Sequence, residues 1–159
     1  MNAFERLFRD EYQRVVAIAN RVLADRQEAE DVAQEVFVDF HRLHSPEAAY
    51  AGPWLHRAAA HAALNAVRSR SRRARREATY GALEGTRFAD PAAAAETADE
   101  RRRVRAALAR LPKKSATVLA LRYGGLSYAE VASALGVNVG QIGTLLRRAE
   151  AALRREVET

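Results

Sequence analysis

Residues 126–150 read LSYAEVASALGVNVGQIGTLLRRAE. Ser127 stands where it can cap a helix, and Glu130, three residues on, closes a capping box. Val131, Ala132 and Leu135 share one face at helical spacing. Gly136 follows, where the helix ends and the chain must turn through a conformation that favours glycine. Asn138 is placed to cap a second helix, with Gln141 three residues later. Ile142, Leu145 and Leu146 would bury that helix and leave Gln141, Thr144, Arg147 and Arg148 on a polar, cationic face. Two short helices, a tight turn and a basic outer face make the helix-turn-helix pattern, whose second helix lies in the DNA major groove. An αα-hairpin with a solvated basic face has the same pattern, so the rest of the chain has to decide.

Working outward, residues 99–111 form a basic helix, DERRRVRAALARL, with Val104, Ala107, Leu108 and Leu111 as its buried stripe and Pro112 at its end. Lys113 to Tyr123 is a further helix with Val118, Leu119 and Leu121 apolar, and Gly124 and Gly125 turn the chain into the helix-turn-helix. Residues 99–159 thus read as one small helical domain. Upstream lies EATYGALEGTRFADPAAAAETA, residues 77–98, with Gly81, Gly85 and Pro91 and few large apolar residues. It reads as a flexible linker whose root-mean-square span is on the order of 25 Å, so the two domains could reach separate places on one partner.

Residues 1–76 read as a second helical domain. Phe4, Leu7, Phe8, Tyr12, Val15, Ile18, Ala19 and Val22 recur at three- and four-residue steps, as in an amphipathic helix. A second helix from about Gln27 to Leu43 buries Ala29, Val32, Ala33, Val36, Phe37 and Phe40. Its other face carries Glu28, Asp31, Gln34, Glu35, Val38 and Asp39. Between Asp25 and Glu47 there are seven acids against two arginines. A solvated face is the ordinary meaning of such a run; in a basic protein it also suits a protein partner, because phosphates repel it. HSPEAAYAGP, residues 44–53, reads as a loop, and a third helix starts near Trp54. Leu55, Ala59, Ala62 and Val67 can face the core, while Trp54, Arg57, His61, Asn65 and Arg68 fall together on another side. Six arginines follow between Arg68 and Arg76. Like charges packed so tightly repel, so this tract points to phosphate binding.

The chain of 159 residues has a net charge of +6 and a pI near 10.3, which favours a polyanionic partner. Residues 1–76 contribute +3, residues 77–98 contribute −3 and residues 99–159 contribute +6. There is no cysteine, hence no disulfide or thiolate metal site. His41, His44, His56 and His61 lack the spacing and company of a zinc site. No nucleophile elbow, phosphate loop or catalytic acid pair is present, so no catalysis, cofactor or metal is expected. No apolar run approaches a membrane span and the N-terminus is too charged for a signal peptide, so a cytoplasmic protein is expected.

Three segments, AEDVAQEVFVDFHR, then WLHRAAAHAALNAVRSRSRR, then LPKKSATVLALRYGGLSYAEVASALGVNVGQIGTLLRRA, occur in this order. Together they resemble the small extracytoplasmic-function (ECF) class of the bacterial sigma-70 RNA polymerase sigma factors. The resemblance implies an all-α fold of two helical domains, residues 1–76 and 99–159, with 77–98 threading through the polymerase. It implies that Asp31, Gln34 and Glu35 dock on the clamp helices of the polymerase large subunit. Tyr50, Trp54, Arg57, His61, Asn65 and Arg68 would capture the melted −10 element. Arg122, Ser127, Tyr128, Gln141, Thr144, Arg147 and Arg148 would read the −35 element, with the polymerase flap and promoter DNA as partners and an anti-sigma factor as regulator. Gly143, Thr144 and Leu145 depart from the Lys or Arg, Ser and Arg common in the family, and Glu150 stands where a base is frequent. Each missing cation removes a phosphate or base contact, which implies weaker −35 reading. A stand-alone helix-turn-helix regulator is the competing reading; it has no need of the acidic second helix.

Overall fold

In a computed structural model, which describes the backbone of residues 1–79 and 92–159 and the side chains of 1–77 and 98–159, every regular element among the described residues is a helix. The order is α1 (Ala3–Leu23), α2 (Arg26–Leu43), α3 (Ala51–Thr79), α4 (Ala92–Arg110), α5 (Lys113–Tyr123), α6 (Tyr128–Leu135) and, after a 3-10 turn at Val139–Gln141, α7 (Ile142–Glu158). The sequence-expected linker 77–98 begins within α3 and ends within α4; its middle, residues 80–91, lies outside the described residues.

The N-terminal three-helix bundle grows from its caps and apolar stripes. Asn2 Oδ1 accepts from the Glu5 backbone N–H at 2.8 Å, and Glu5 Oε1 accepts from the Asn2 N–H at 2.9 Å, closing a capping box at the start of α1. The helix ends at Ala24, a non-glycine residue at φ +53. Asp25 then caps α2 through the Glu28 N–H at 3.0 Å. Phe37 is the hub of this half: Phe4 meets it edge-on at 6.3 Å and Phe8 lies at 4.9 Å, geometries that add to simple burial. Helix α3 begins at Ala51, three residues before the expected start, and takes Pro53 into its first turn, where a missing N–H costs no hydrogen bond.

The C-terminal half follows the expected pattern except at Val104, placed in the buried stripe of its helix by spacing but 39% exposed, while Ala107, Leu108 and Leu111 are buried. Ser127 Oγ accepts from Glu130 N at 3.1 Å and Glu130 Oε1 from Ser127 N at 2.8 Å. Gly136 ends α6 at φ +72. Val131, Ala132, Ile142 and Leu146 are buried, while Leu135 and Leu145 are half-buried. Asn138 N–H donates to Gln141 Oε1 at 3.0 Å, which starts the second helix as a 3-10 turn before it continues as α7.

The two halves share one continuous apolar core. Helix α3 packs on α4, α5 and α6, and α1 packs on α5. A tight backbone approach lies at Gly124. A Cβ there would lie 2.8 Å from Ile18 Cα and 2.7 Å from the Ala120 carbonyl oxygen. Its φ of −78 is open to any residue, so the absence of a side chain, rather than backbone freedom, is what this contact requires. Its neighbour Gly125 makes the turn, at φ +113.

Candidate nucleic-acid and partner interfaces

Helix α2 exposes its acidic face. Asp31, Gln34 and Glu35 are all exposed, and Gln27 Nε2 donates to Asp31 Oδ1 at 3.2 Å. Val38, 54% exposed, stands next to this row and gives it an apolar anchor of the kind interfaces use. The opposite stripe, Ala29, Ala33, Val36, Phe37 and Phe40, is buried, so the face cannot rotate inward.

The entrance to α3 is an aromatic cluster. Trp54 is half-buried against Phe40 at 5.3 Å and His44 at 5.1 Å. Tyr50 is half exposed, and its hydroxyl is hydrogen-bonded to His44 Nδ1 at 2.9 Å. His44 thus fixes the one exposed aromatic of this group, a role that the sequence, where it figures only as a spare histidine, does not reveal. Further along α3, Asn65 is exposed and His61 is half-buried. Burial first, then the Lys113 and Arg57 cations, hold the His61 imidazole below the ordinary histidine range.

Arg57 and Arg68 turn towards the other half of the molecule. Arg57 donates to the Ala134 carbonyl at 3.2 Å, and Arg68 to the Leu111 carbonyl at 3.0 Å. In the arginine tract beyond them, Arg70 pairs with Glu28 of α2, whereas Arg72, Arg73 and Arg76 are exposed. Arg105 of α4 joins this region: burial, then Arg70, Arg102 and Arg101, lower its affinity for the proton. Cations from α3 and α4 therefore converge on one surface.

On the helix-turn-helix, Gln141, Thr144, Arg147 and Arg148 are exposed as one row. Arg147 reaches Thr144 Oγ1 at 3.4 Å. Arg122 donates to the Leu126 carbonyl at 2.9 Å and lies 5.1 Å over the Tyr128 ring, which is 44% exposed. Ser127 is committed to the α6 cap. Glu150 is half-buried and accepts from the Tyr123 hydroxyl, an internal tie between α7 and α5. His56 is buried, with Nε2 at 2.7 Å from Glu11 Oε1, and serves the packing of α3 on α1.

A row of polar and cationic side chains on the second of two capped helices is the arrangement of a helix-turn-helix, the class of fold in which that helix can enter the DNA major groove. The family model "Sigma-70 region 2" matches residues 7–73, and "Sigma-70, region 4" matches residues 101–153. The ECF RNA polymerase sigma factor SigK of Mycobacterium ulcerans (strain Agy99) is 34% identical over 158 residues, covering 96% of this chain and 84% of that relative. The SigK of Mycolicibacterium vanbaalenii is 32% identical over 158 residues, covering 96% and 81%. The sigma factor RpoE of Bartonella quintana, solved in complex with the anti-sigma factor NepR, shares the fold with a TM-score of 0.55 and 16% identity, over 100% of this chain and 99% of that one. The chain belongs to the ECF class of sigma-70 RNA polymerase sigma factors. It directs promoter recognition in transcription initiation, and the stand-alone regulator is not favoured. Sigma factors are non-catalytic initiation factors. Among the described residues no helix is long and apolar enough to cross a membrane.

Proposed function

We propose that this sigma factor divides its work among three faces, in two domains bounded at residues 1–76 and 99–159. Asp31, Gln34 and Glu35 dock on the clamp helices of the polymerase large subunit. Tyr50, Trp54, Arg57, His61, Asn65 and Arg68 hold the melted −10 strand, with Tyr50 and Trp54 offering rings for unstacked bases and the cations meeting phosphates. Arg122, Tyr128, Gln141, Thr144, Arg147 and Arg148 engage the −35 duplex beside the polymerase flap, and Ser127 contributes by fixing α6. The chain itself catalyses nothing, works in the cytoplasm without a cofactor or metal, and is held in check by an anti-sigma factor, as the Bartonella RpoE is bound by NepR.

One observation carries this reading. An acidic row on α2 and a cationic row on α7 are both exposed, and the first repels phosphate where the second attracts it. Gly143 and Leu145 leave the recognition helix two cations short of the family pattern, so duplex contacts are fewer and the −10 contacts weigh more. The test is a pull-down of core RNA polymerase followed by run-off transcription on genomic fragments. The charge reversals Asp31→Lys and Glu35→Lys together should abolish core binding while the helical circular dichroism stays the same; retained binding would refute the docking face. Arg147→Ala with Arg148→Ala should weaken duplex binding and flatten its salt dependence by about two phosphate contacts.

A further inference from the structure

Val104, the apolar residue that spacing assigns to the interior and the fold leaves exposed, lines a cleft of about 1290 Å3 between α1, α4, α5 and α7. Leu108 and Leu119 line it from α4 and α5, and Leu153 and Val157, both half-buried, line it from α7. Ligand sites run to roughly 300–1,000 Å3 and join an apolar lining to a few convergent polar groups. This cleft is larger than that and has the same make-up. Its charged groups are Arg21, Arg26, Arg101, Arg105 and Arg154 against Glu100 and Glu150, five positive against two negative. Arg26 is committed to Glu30 at 3.1 Å and Gln13 at 3.2 Å, and Glu150 accepts from Tyr123. Arg101, Arg105 and Arg154 pair with no carboxylate among the described residues. Burial, then Arg70, Arg102 and Arg101, loosen the hold of Arg105 on its proton, with Glu28 opposing, so an anion placed there would relieve the crowding. Asn20 Oδ1, also in the lining, is buried without a hydrogen-bond partner and wants a donor.

The apolar lining is aliphatic. Its one aromatic, Tyr123, already carries Arg21 at 5.8 Å over its ring. A flexible chain therefore suits the cleft better than a flat base. On α4, Arg101 and Arg105 are four residues apart, and so are Val104 and Leu108, so a cationic row and an apolar row run side by side. We propose that this cleft binds a single-chain anionic amphiphile, its acyl chain along Val104, Leu108, Leu153 and Val157, its phosphate head at Arg101, Arg105 and Arg154, and a hydroxyl donating to Asn20 Oδ1. The site uses none of the residues assigned to polymerase, the melted strand or the −35 duplex. It gives the chain a chemical input that those three faces lack. Affinity grows with the length of the acyl chain, because each added methylene removes more apolar surface from water.

The probe is oleoyl lysophosphatidic acid, kept below its micelle threshold and titrated calorimetrically into the full chain. Saturable binding of about one molecule per chain is expected, with a melting temperature that rises with the probe concentration. Monooleoylglycerol, which lacks the charge, and inorganic phosphate, which lacks the chain, should each bind at least about tenfold more weakly. Arg101→Ala with Arg105→Ala should weaken the probe at least about tenfold. Arg72→Ala with Arg73→Ala, which removes as much charge outside the cleft, should leave it unchanged. The same lipid with a diazirine on its acyl chain locates the site in the unaltered protein, where labelling should fall on peptides holding Val104, Leu153 or Val157. Absence of saturable binding, equal loss in both double variants, or labelling elsewhere would overturn the proposal. Sedimentation with phosphatidylglycerol vesicles but no uptake of the monomer would also overturn it, and would make these arginines a membrane-surface patch instead.

Discussion

Glu11 and His56 show what a single residue contributes when its partner lies 45 positions away. His56 is buried, and its Nε2 depends on Glu11 Oε1 for its only hydrogen bond, since Nδ1 has no partner. Glu11→Ala should therefore cost about 1–3 kcal/mol of stability, the penalty of stranding a buried polar group, read as a lower denaturation midpoint. Core binding per folded molecule should not change. In sequence only His61 falls on the side of α3 that carries Trp54 and Arg57; His56 has no role there, and the fold gives it one, packing α3 on α1. His61 carries its own prediction. Its folded-state affinity for the proton is depressed, by burial and then by Lys113 and Arg57. Neutral His61 is thus fully compatible with the fold above the ordinary histidine pKa of about 6.5, and stability falls as pH drops from there towards the folded value, because the unfolded chain binds the proton more readily. His61→Gln should flatten the fall in melting temperature between pH 7 and pH 5.5.

The elements were legible to different degrees, for reasons that lie in their ends. The helix-turn-helix could be read almost residue by residue, because Ser127, Glu130 and Gly136 carry the cap and the left-handed turn in their own side chains. The start of α3 was less legible. Pro53 suggests a boundary, yet a proline in the first turn removes only an N–H that has no helical partner, so the helix begins at Ala51. The alanines at 92–95 look like linker by composition, but alanine has the highest helix propensity, and α4 starts there. Gly143 is an element-scale exception. It sits in the first turn of α7, and a Cβ there would meet only Arg147 Nη1 at 3.5 Å and Tyr128 Cε2 at 4.0 Å, ordinary contacts. Gly143→Ala should stabilise the chain by about 0.5 kcal/mol through reduced backbone freedom in the unfolded state, checked by urea denaturation. A loss of stability would mean that the close approach of Tyr128 matters more than helix propensity.

At the scale of the whole molecule the sequence is silent on one point, the seam where α3 and α1 of the first half pack on α4, α5 and α6 of the second. Periodicity and capping are local signals, whereas Arg14 and Glu130 are 116 residues apart and Arg57 and Ala134 are 77 apart. Nothing in either segment announces the other, and a linker reading suggests independent halves. Each half has its own apolar centre, Phe37 and Phe40 in one and Leu121, Leu126 and Ile142 in the other, yet the buried residues form one continuous cluster. Two units that share a core unfold together as long as their contact contributes more than the difference between their separate stabilities. The parent chain should therefore melt in one transition whose calorimetric and van't Hoff enthalpies agree. Arg14→Glu combined with Arg57→Gln removes two of the polar ties across the seam and leaves both centres intact. It should split the melt into two transitions, with the ratio of calorimetric to van't Hoff enthalpy rising above one. A chain carrying Arg14→Cys and Glu130→Cys joined by a thiol-reactive cross-linker should keep a single transition at a higher temperature, because the link makes separation of the halves impossible before either unfolds. If the variant instead melts in one transition at a merely lower temperature, the apolar contact at Ile18 and Gly124 holds the halves together by itself, and Gly124→Ala is then the change that separates them.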